Sequence, residues 1–191
     1  MLPWTLVADV PPDSAPLLFT EESFCSIQCE TALAAGGADG ADVDGFLDAA
    51  VHFCNGKLWG SLNACILIDP VAESAHKARL EAAIAQLRFG TVAVNVFPGV
   101  GYGLGTATWG AFPGEKISAV ESGIGVVHNA WLAPRPQKTV LRMPFAPSAV
   151  SGRPPWFATC AKAHKMAPAL VDFEAAPSLG SFAKILVAAA F

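Results

Sequence analysis

Glu21 and Glu22 adjoin in LLFTEESFCSIQC, between apolar residues and just before Phe24. A carboxylate accepts hydrogen bonds from paired hydroxyls well, and an aromatic ring close by can hold a planar ligand face to face. A solvated turn accounts for the same residues, and their types alone leave both readings open. The cysteines and histidines point to less. Cys25 and Cys29 lie four apart, His52 and Cys54 two apart, and Cys160 and His164 four apart. None of these makes the pair of pairs that zinc requires, so no metal site is expected. Cys160 and His164 could share a helix face as nucleophile and base, but no third group orients them. No Cys-x-x-Cys is present to support thiol redox chemistry. The run GVGYGLG, with Gly99, Gly101, Gly103 and Gly105, follows a strand-like segment and raises the question of a phosphate cradle. No register of it reads G-x-G-x-x-G, no Gly-Lys-Ser/Thr follows, and Thr-Ala-Thr-Trp-Gly comes next instead of a helix. It reads as a flexible or close-packed loop.

These residues need elements to position them. Residues 1–16 hold Pro3, Pro11, Pro12 and Pro16 and read as a lead-in segment with one edge strand. Residues 17–30 read as two short strands around the Glu21-Glu22 turn, and AAGGADGADVDG after them as an acidic surface loop. Asp44 is a candidate cap for a helix carrying Leu47, Ala50, Val51 and Cys54 on one face and ending at Asn55-Gly56. Leu62–Ile68 reads as a buried strand. Ser74 is a candidate cap for a second helix, with Leu80, Ala83, Ile84 and Leu87 along one face and Gly90 past its end. Thr91–Val96 is a short β-branched strand. This alternation predicts an α/β fold with a mostly parallel sheet flanked by helices. Residues 97–125 read as a loop region, Lys138–Met143 as a late strand, and residues 157–167 and Ser181–Ala190 as helices after a Pro-containing linker.

Composition narrows the class. The chain has 191 residues, of which 53% are hydrophobic and 15% charged, enough apolar surface for a packed core. Its positive mean hydropathy is compatible with an alanine-rich core or with apolar surface reserved for a partner. A net charge of −4 without a basic block argues against nucleic acid or an anionic membrane as partner. No apolar run reaches the roughly 18 residues of a membrane span, and the first residues lack the pattern of a signal peptide. Five irregularly spaced cysteines suit reduced thiols, so a cytoplasmic location is expected.

The segment EESFCS at 21–26 resembles the Glu-Glu-x-Phe-Gly-Pro motif of aldehyde dehydrogenases. FLDAAVHFCNGKLWGSLNACI at 46–66 resembles that family's helix ending in Ala-Asn, followed by Tyr-Gly-Leu and a strand. LRFGTVAVN at 87–95 is similar to the helix end and strand that close on Val-Asn. TWGAFPG at 108–114 and SGIG at 122–125 resemble Pro-Phe-Gly-Gly followed by Ser-Gly-x-Gly, and KTVLRM at 138–143 resembles the late Lys-Thr-Val strand. The landmarks run in the family's order over residues 17–143.

The resemblance implies a partial aldehyde dehydrogenase-like catalytic domain over residues 1–143, with residues 144–191 as a linker and helical extension. It implies NAD or NADP as cofactor, with Glu22 on the nicotinamide ribose, Phe24 beside the nicotinamide and Trp109 lining the aldehyde tunnel. It implies that KTVLRM is an extended oligomerisation strand, and hence a homo-oligomer or a complementing subunit as partner. The departures are specific. Cys25-Ser26 replaces Gly-Pro, and extra glycines stand between Asn95 and Trp109. The family's nucleophilic cysteine, general base, oxyanion asparagine and nucleotide-binding domain would all lie before the Glu-Glu motif. Only twenty residues precede that motif, none of them a cysteine. No catalytic residue is therefore assigned, and the chain alone is expected to be inactive. The alternative is a non-catalytic, self-associating interaction module derived from that family.

Overall fold

A computed structural model describes residues 3–14, 16–34, 42–129, 131–132, 134–145 and 162–190. The acidic loop's residues 35–41, Pro154, Pro155, Cys160 and the start of the 157–167 segment, through residue 161, lie outside the described residues. The chain divides into two compact units, Met1–Phe145 and Ala146–Phe191.

The first unit is mixed α/β, with small parallel sheets flanked by helices. Strands β3 (Asn63–Ile66), β4 (Thr91–Val94) and β7 (Thr139–Arg142) form a sheet in the order β3-β4-β7, all parallel. All four residues of β4 are buried, as a central strand covered on both faces requires. Helices α2 (Val43–Lys57) and α4 (Lys77–Gln86) bring Leu47, Val51, Leu80, Ala83 and Ile84 onto Val92 and Val94. The three- and four-residue spacing of those side chains places them on one face of each helix. Leu80 and Val92 are fully buried and mark the centre of the core.

Two helix starts differ from the sequence expectation. Asp42, not Asp44, caps α2, accepting from the Gly45 amide at 2.9 Å. Asp44 sits in the first turn, 2.8 Å from His76 Nδ1. Ser74 caps nothing: Asp69 caps α3 (Pro70–Ala75), accepting from Val71 and Ala72, with Pro70 at the first helical position. The chain re-enters a helix after His76, so a short turn precedes α4.

The segment before α2 also differs. Leu17–Thr20 forms a single helical turn, α1, where a strand was expected. A three-residue apolar run is too short for its periodicity to separate helix from strand. The turn buries Phe19, whose ring meets Phe53 of α2 edge to face at 5.2 Å. β1 (Thr5–Val7) and β2 (Ile27–Cys29) then pair in parallel.

The Gly-rich run is not a plain loop. Val100–Leu104 forms a short helix, α5, that Gly105 ends at φ +63°. β5 (Trp109–Gly110) and β6 (Val126–Val127) pair antiparallel beyond it. In the second unit, α6 (Ala163–Ala175) and α7 (Leu179–Ala190) contact each other, with Phe173 and Phe182 at 6.0 Å. Ser178 Oγ accepts from the Ser181 amide at 3.0 Å, a cap on α7.

Candidate functional site

The loop between α1 and β2 carries Glu21, Glu22 and Phe24 into a cleft of about 740 Å³. Its opposite wall comes from Leu58–Gly60, which follow α2, and from Leu62 and Asn63 at the start of β3. The Trp59 amide donates to the Phe19 carbonyl at 2.8 Å, so the two walls are tied at the base of the loop. Phe24 takes a left-handed backbone with φ +43°, and the residue is 87% exposed. A bulky residue held there costs about 1–2 kcal/mol, strain of the kind that clusters where a loop presents a side chain to a ligand. Gln28 and Ser122 add neutral polar groups to the lining.

The charge of the cleft is one-sided. Glu21, Glu22 and Glu121 all line it, and among the described residues no lysine or arginine does. Such a surface accepts hydroxyl donors and repels a phosphate. Glu121 is held in place, its Oε2 accepting from the Gly60 amide at 2.9 Å. Cys29 reaches the same cleft, with its Sγ 4.0 Å from the Leu18 carbonyl as a weak donor.

Beside the cleft, Glu115 fastens residues 115–123 to the end of the 58–61 segment. Its carboxylate accepts from the Ser61 hydroxyl, from the Glu121 amide at 2.8 Å and from the Gly123 amide at 3.3 Å. Desolvation opposes its ionisation, but these hydrogen bonds, with one from the Ser122 amide, outweigh it and hold the carboxyl below its ordinary range. Ser61 N in turn donates to Ser122 Oγ at 2.7 Å.

Of the residues singled out in the sequence, Glu22 and Phe24 share the cleft. Trp109 is not among its lining residues. It sits on β5, half-buried, with its ring 5.9 Å from Tyr102, which itself lies 5.0 Å from the His128 ring. Sequence reasoning missed Glu121, Glu115 and Asn63. The sole hint was the position of Glu121 directly before the Ser-Gly-x-Gly stretch.

Two of the described thiols, Cys54 and Cys65, are shifted away from the thiolate. Burial pushes the Cys54 thiol up; burial also raises that of Cys65, outweighing a lowering backbone hydrogen bond at Val96. Among the described residues there is no group of three or more His, Cys, Asp or Glu side chains able to hold a metal ion. No helix among them is long and apolar enough to cross a membrane.

Compared with protein-family models, curated protein sequences and solved structures, the chain matches none of them.

Proposed function

We propose that this chain is the C-terminal part of an NAD(P)-dependent aldehyde dehydrogenase-like oxidoreductase, inactive by itself. The observation that carries the reading is the joint placement of Glu22 and the exposed Phe24 in one cleft. A nicotinamide riboside suits that lining: the carboxylate accepts the ribose hydroxyls and the aromatic face lies against the ring. The pyrophosphate of the same cofactor does not suit it, because Glu21, Glu22 and Glu121 repel anions. A second polypeptide would have to supply the phosphate-binding surface and the nucleophilic thiolate. When bound, the cofactor would accept a hydride; this chain's residues would orient its nicotinamide end.

Calorimetric titration of NAD and NADP into the purified chain tests the proposal. Weak binding that Glu22→Ala abolishes is the expected result, with no NADH formed from aldehydes. Binding indifferent to Glu22→Ala, or no binding in the presence of a complementing subunit, sinks it.

A second reading, a self-associating interaction module, is supported by the exposure of large apolar side chains. Leu67 is 75% exposed and Phe97 60%. Large apolar side chains left in water are the material from which a partner interface is built.

A further inference from the structure

Helices α2 and α4 pack against each other, and α2 turns one flank toward its neighbour. Asp44, Asp48, His52 and Asn55 recur along that flank at three- and four-residue steps. Three of the four find a partner across the gap. Asp44 meets His76 at 2.8 Å, Asp48 pairs with Arg79, and Asn55 donates to the Gln86 carbonyl at 2.9 Å. Asn55 and Gln86 are 31 residues apart, as are Asp48 and Arg79, and the same offset sets Ala83 opposite His52. An alanine cannot reach across, and the ladder opens there into a cavity of about 610 Å³.

The cavity is rich in donors. His52, Arg79, Gln86 and Arg88 line it, with Asp48 as the one carboxylate among the described residues. The Arg88 guanidinium, the His52 ring and the Gln86 side-chain amide have no partner among the described residues. Arg79 neutralises Asp48 through Nη2, while its Nε is buried and unpaired. Arg88 is rooted by its amide, which donates to Asn55 Oδ1 at 2.8 Å. A helix C-terminus ordinarily repels anions. Here the carbonyls at the end of α4 are occupied, that of Gln86 by Asn55 and those of Ile84, Ala85 and Leu87 by Lys138. The lining thus holds two guanidiniums against one carboxylate, in a chain whose net charge is −4.

We infer that this cavity binds a phosphate group, free or carried by a small metabolite. A guanidinium fork matches phosphate oxygens and stays charged at any physiological pH. The donors come from three separate stretches: His52 from α2, Gln86 from the last turn of α4, and Arg88 from beyond it. A tetrahedral phosphate offers three acceptor oxygens and up to two charges to such a set, where a carboxylate offers two oxygens in one plane. The volume exceeds that of a bare ion and lies in the usual range for small-molecule pockets. The cavity shares no lining residue with the cleft of Glu22 and Phe24, so it stands independently of the function proposed above.

Titration calorimetry of the full chain at constant ionic strength is the test, with inorganic phosphate, ribose 5-phosphate and acetate as probes. One site for phosphate is expected, with acetate at least about tenfold weaker. Tighter binding of ribose 5-phosphate than of phosphate assigns the site to an ester; equal or weaker binding assigns it to the free ion. Arg88→Gln, at an exposed position, should raise the phosphate Kd at least about tenfold. Arg142→Gln, whose wild-type guanidinium pairs with Glu81 outside the cavity, should leave it unchanged. In proton NMR the His52 ring signals, identified by their absence in His52→Gln, should move with phosphate while those of His128 and His164 stay. No binding of phosphate or ribose 5-phosphate at millimolar concentrations overturns the site, and so does a folded Arg88→Gln chain that binds as the wild type does. Acetate binding as tight as phosphate overturns the phosphate assignment. If Arg88→Gln does not fold, the His52 signals of the wild-type chain decide.

Discussion

Ser61 and Glu115, 54 residues apart in the sequence, meet as hydroxyl donor and carboxylate acceptor at the edge of the candidate cleft. Their contact, with the amides of Glu121 and Gly123 on the same carboxylate, fixes the wall from which Glu121 faces the cleft. Because Glu115 ionises more readily folded than unfolded, its stabilising contribution is complete above its ordinary, unfolded pKa of 4.5. That contribution is lost as pH falls through the lower, folded value. Urea unfolding between pH 7 and pH 3 should therefore show a decline below about pH 4.5 that is shallower in Glu115→Gln. At pH 7, Glu115→Ala should cost about 1–2 kcal/mol, since the group is only half-buried. An unchanged acid limb in Glu115→Gln would show that the carboxylate does not hold the loop.

Lys138 stands at the C-terminal end of α4, its Nζ donating to the carbonyls of Ile84 and Ala85 at 2.9 Å each and to that of Leu87. The same ammonium lies 5.4 Å from the centre of the Phe112 ring. Burial lowers its pKa, yet the carbonyls and the ring face favour the cation. Lys138→Met keeps the aliphatic stem and removes the charge, leaving the last carbonyls of the helix without their donor. A loss of about 1–2 kcal/mol in chemical denaturation is expected, with the melting temperature down by several degrees. An effect within about 0.3 kcal/mol would mean water replaces the ammonium at no cost.

How far the sequence foretold these arrangements depends on the range of the interaction. The core-facing residues of α2 and α4 and the buried strand β4 were legible, because a helix repeats every 3.6 residues and a central parallel strand is apolar throughout. Caps were less so. Asp42 and Asp44 are equivalent locally, and only His76, which takes Asp44, breaks the tie. The Leu17–Thr20 turn depends on burying Phe19 against Phe53, a contact that no local pattern announces. The same holds at the site. Glu22 and Phe24 are two residues apart, so their common cleft follows from the sequence. Trp109 lies against Tyr102 because α5 forms within the Gly-rich run, and glycine-rich sequence argues against a helix on propensity alone.

Asn55 joins the ends of the two core helices. Its Nδ2 donates to the Gln86 carbonyl at 2.9 Å and its Oδ1 accepts from the Arg88 amide at 2.8 Å. Asn55→Ala leaves one donor and one acceptor for water to satisfy, and should cost about 1–2 kcal/mol. Asn55→Asp keeps the acceptor for Arg88 but sets a carboxylate against the Gln86 carbonyl, so it should be no more stable than the alanine variant. Thermal melts of both variants against the wild type check the ordering; a fully stable Asn55→Asp would show that only the Arg88 contact matters.

Gly90 and Gly56 make opposite predictions from the same substitution. A Cβ added to Gly90 would fall 1.8 Å from the Gly110 carbonyl oxygen, and one added to Gly110 would fall 2.4 Å from that of Gly125. Three backbone segments thus approach too closely for any side chain, and the approach is what seats β5 against the start of β4. Gly90→Ala must push β5 away, with an expected loss of at least about 2–3 kcal/mol and a change in Trp109 fluorescence as its contact with Tyr102 opens. Gly56 lies inside α2, where an added Cβ meets nothing within 4 Å. Gly56→Ala should instead gain about 0.5–1 kcal/mol, because alanine loses less backbone freedom on entering a helix. Denaturation curves for the pair decide the matter: a Gly90→Ala chain as stable as the wild type would mean that β5 is not held by this contact, and Trp109 would then be free to move toward the cleft.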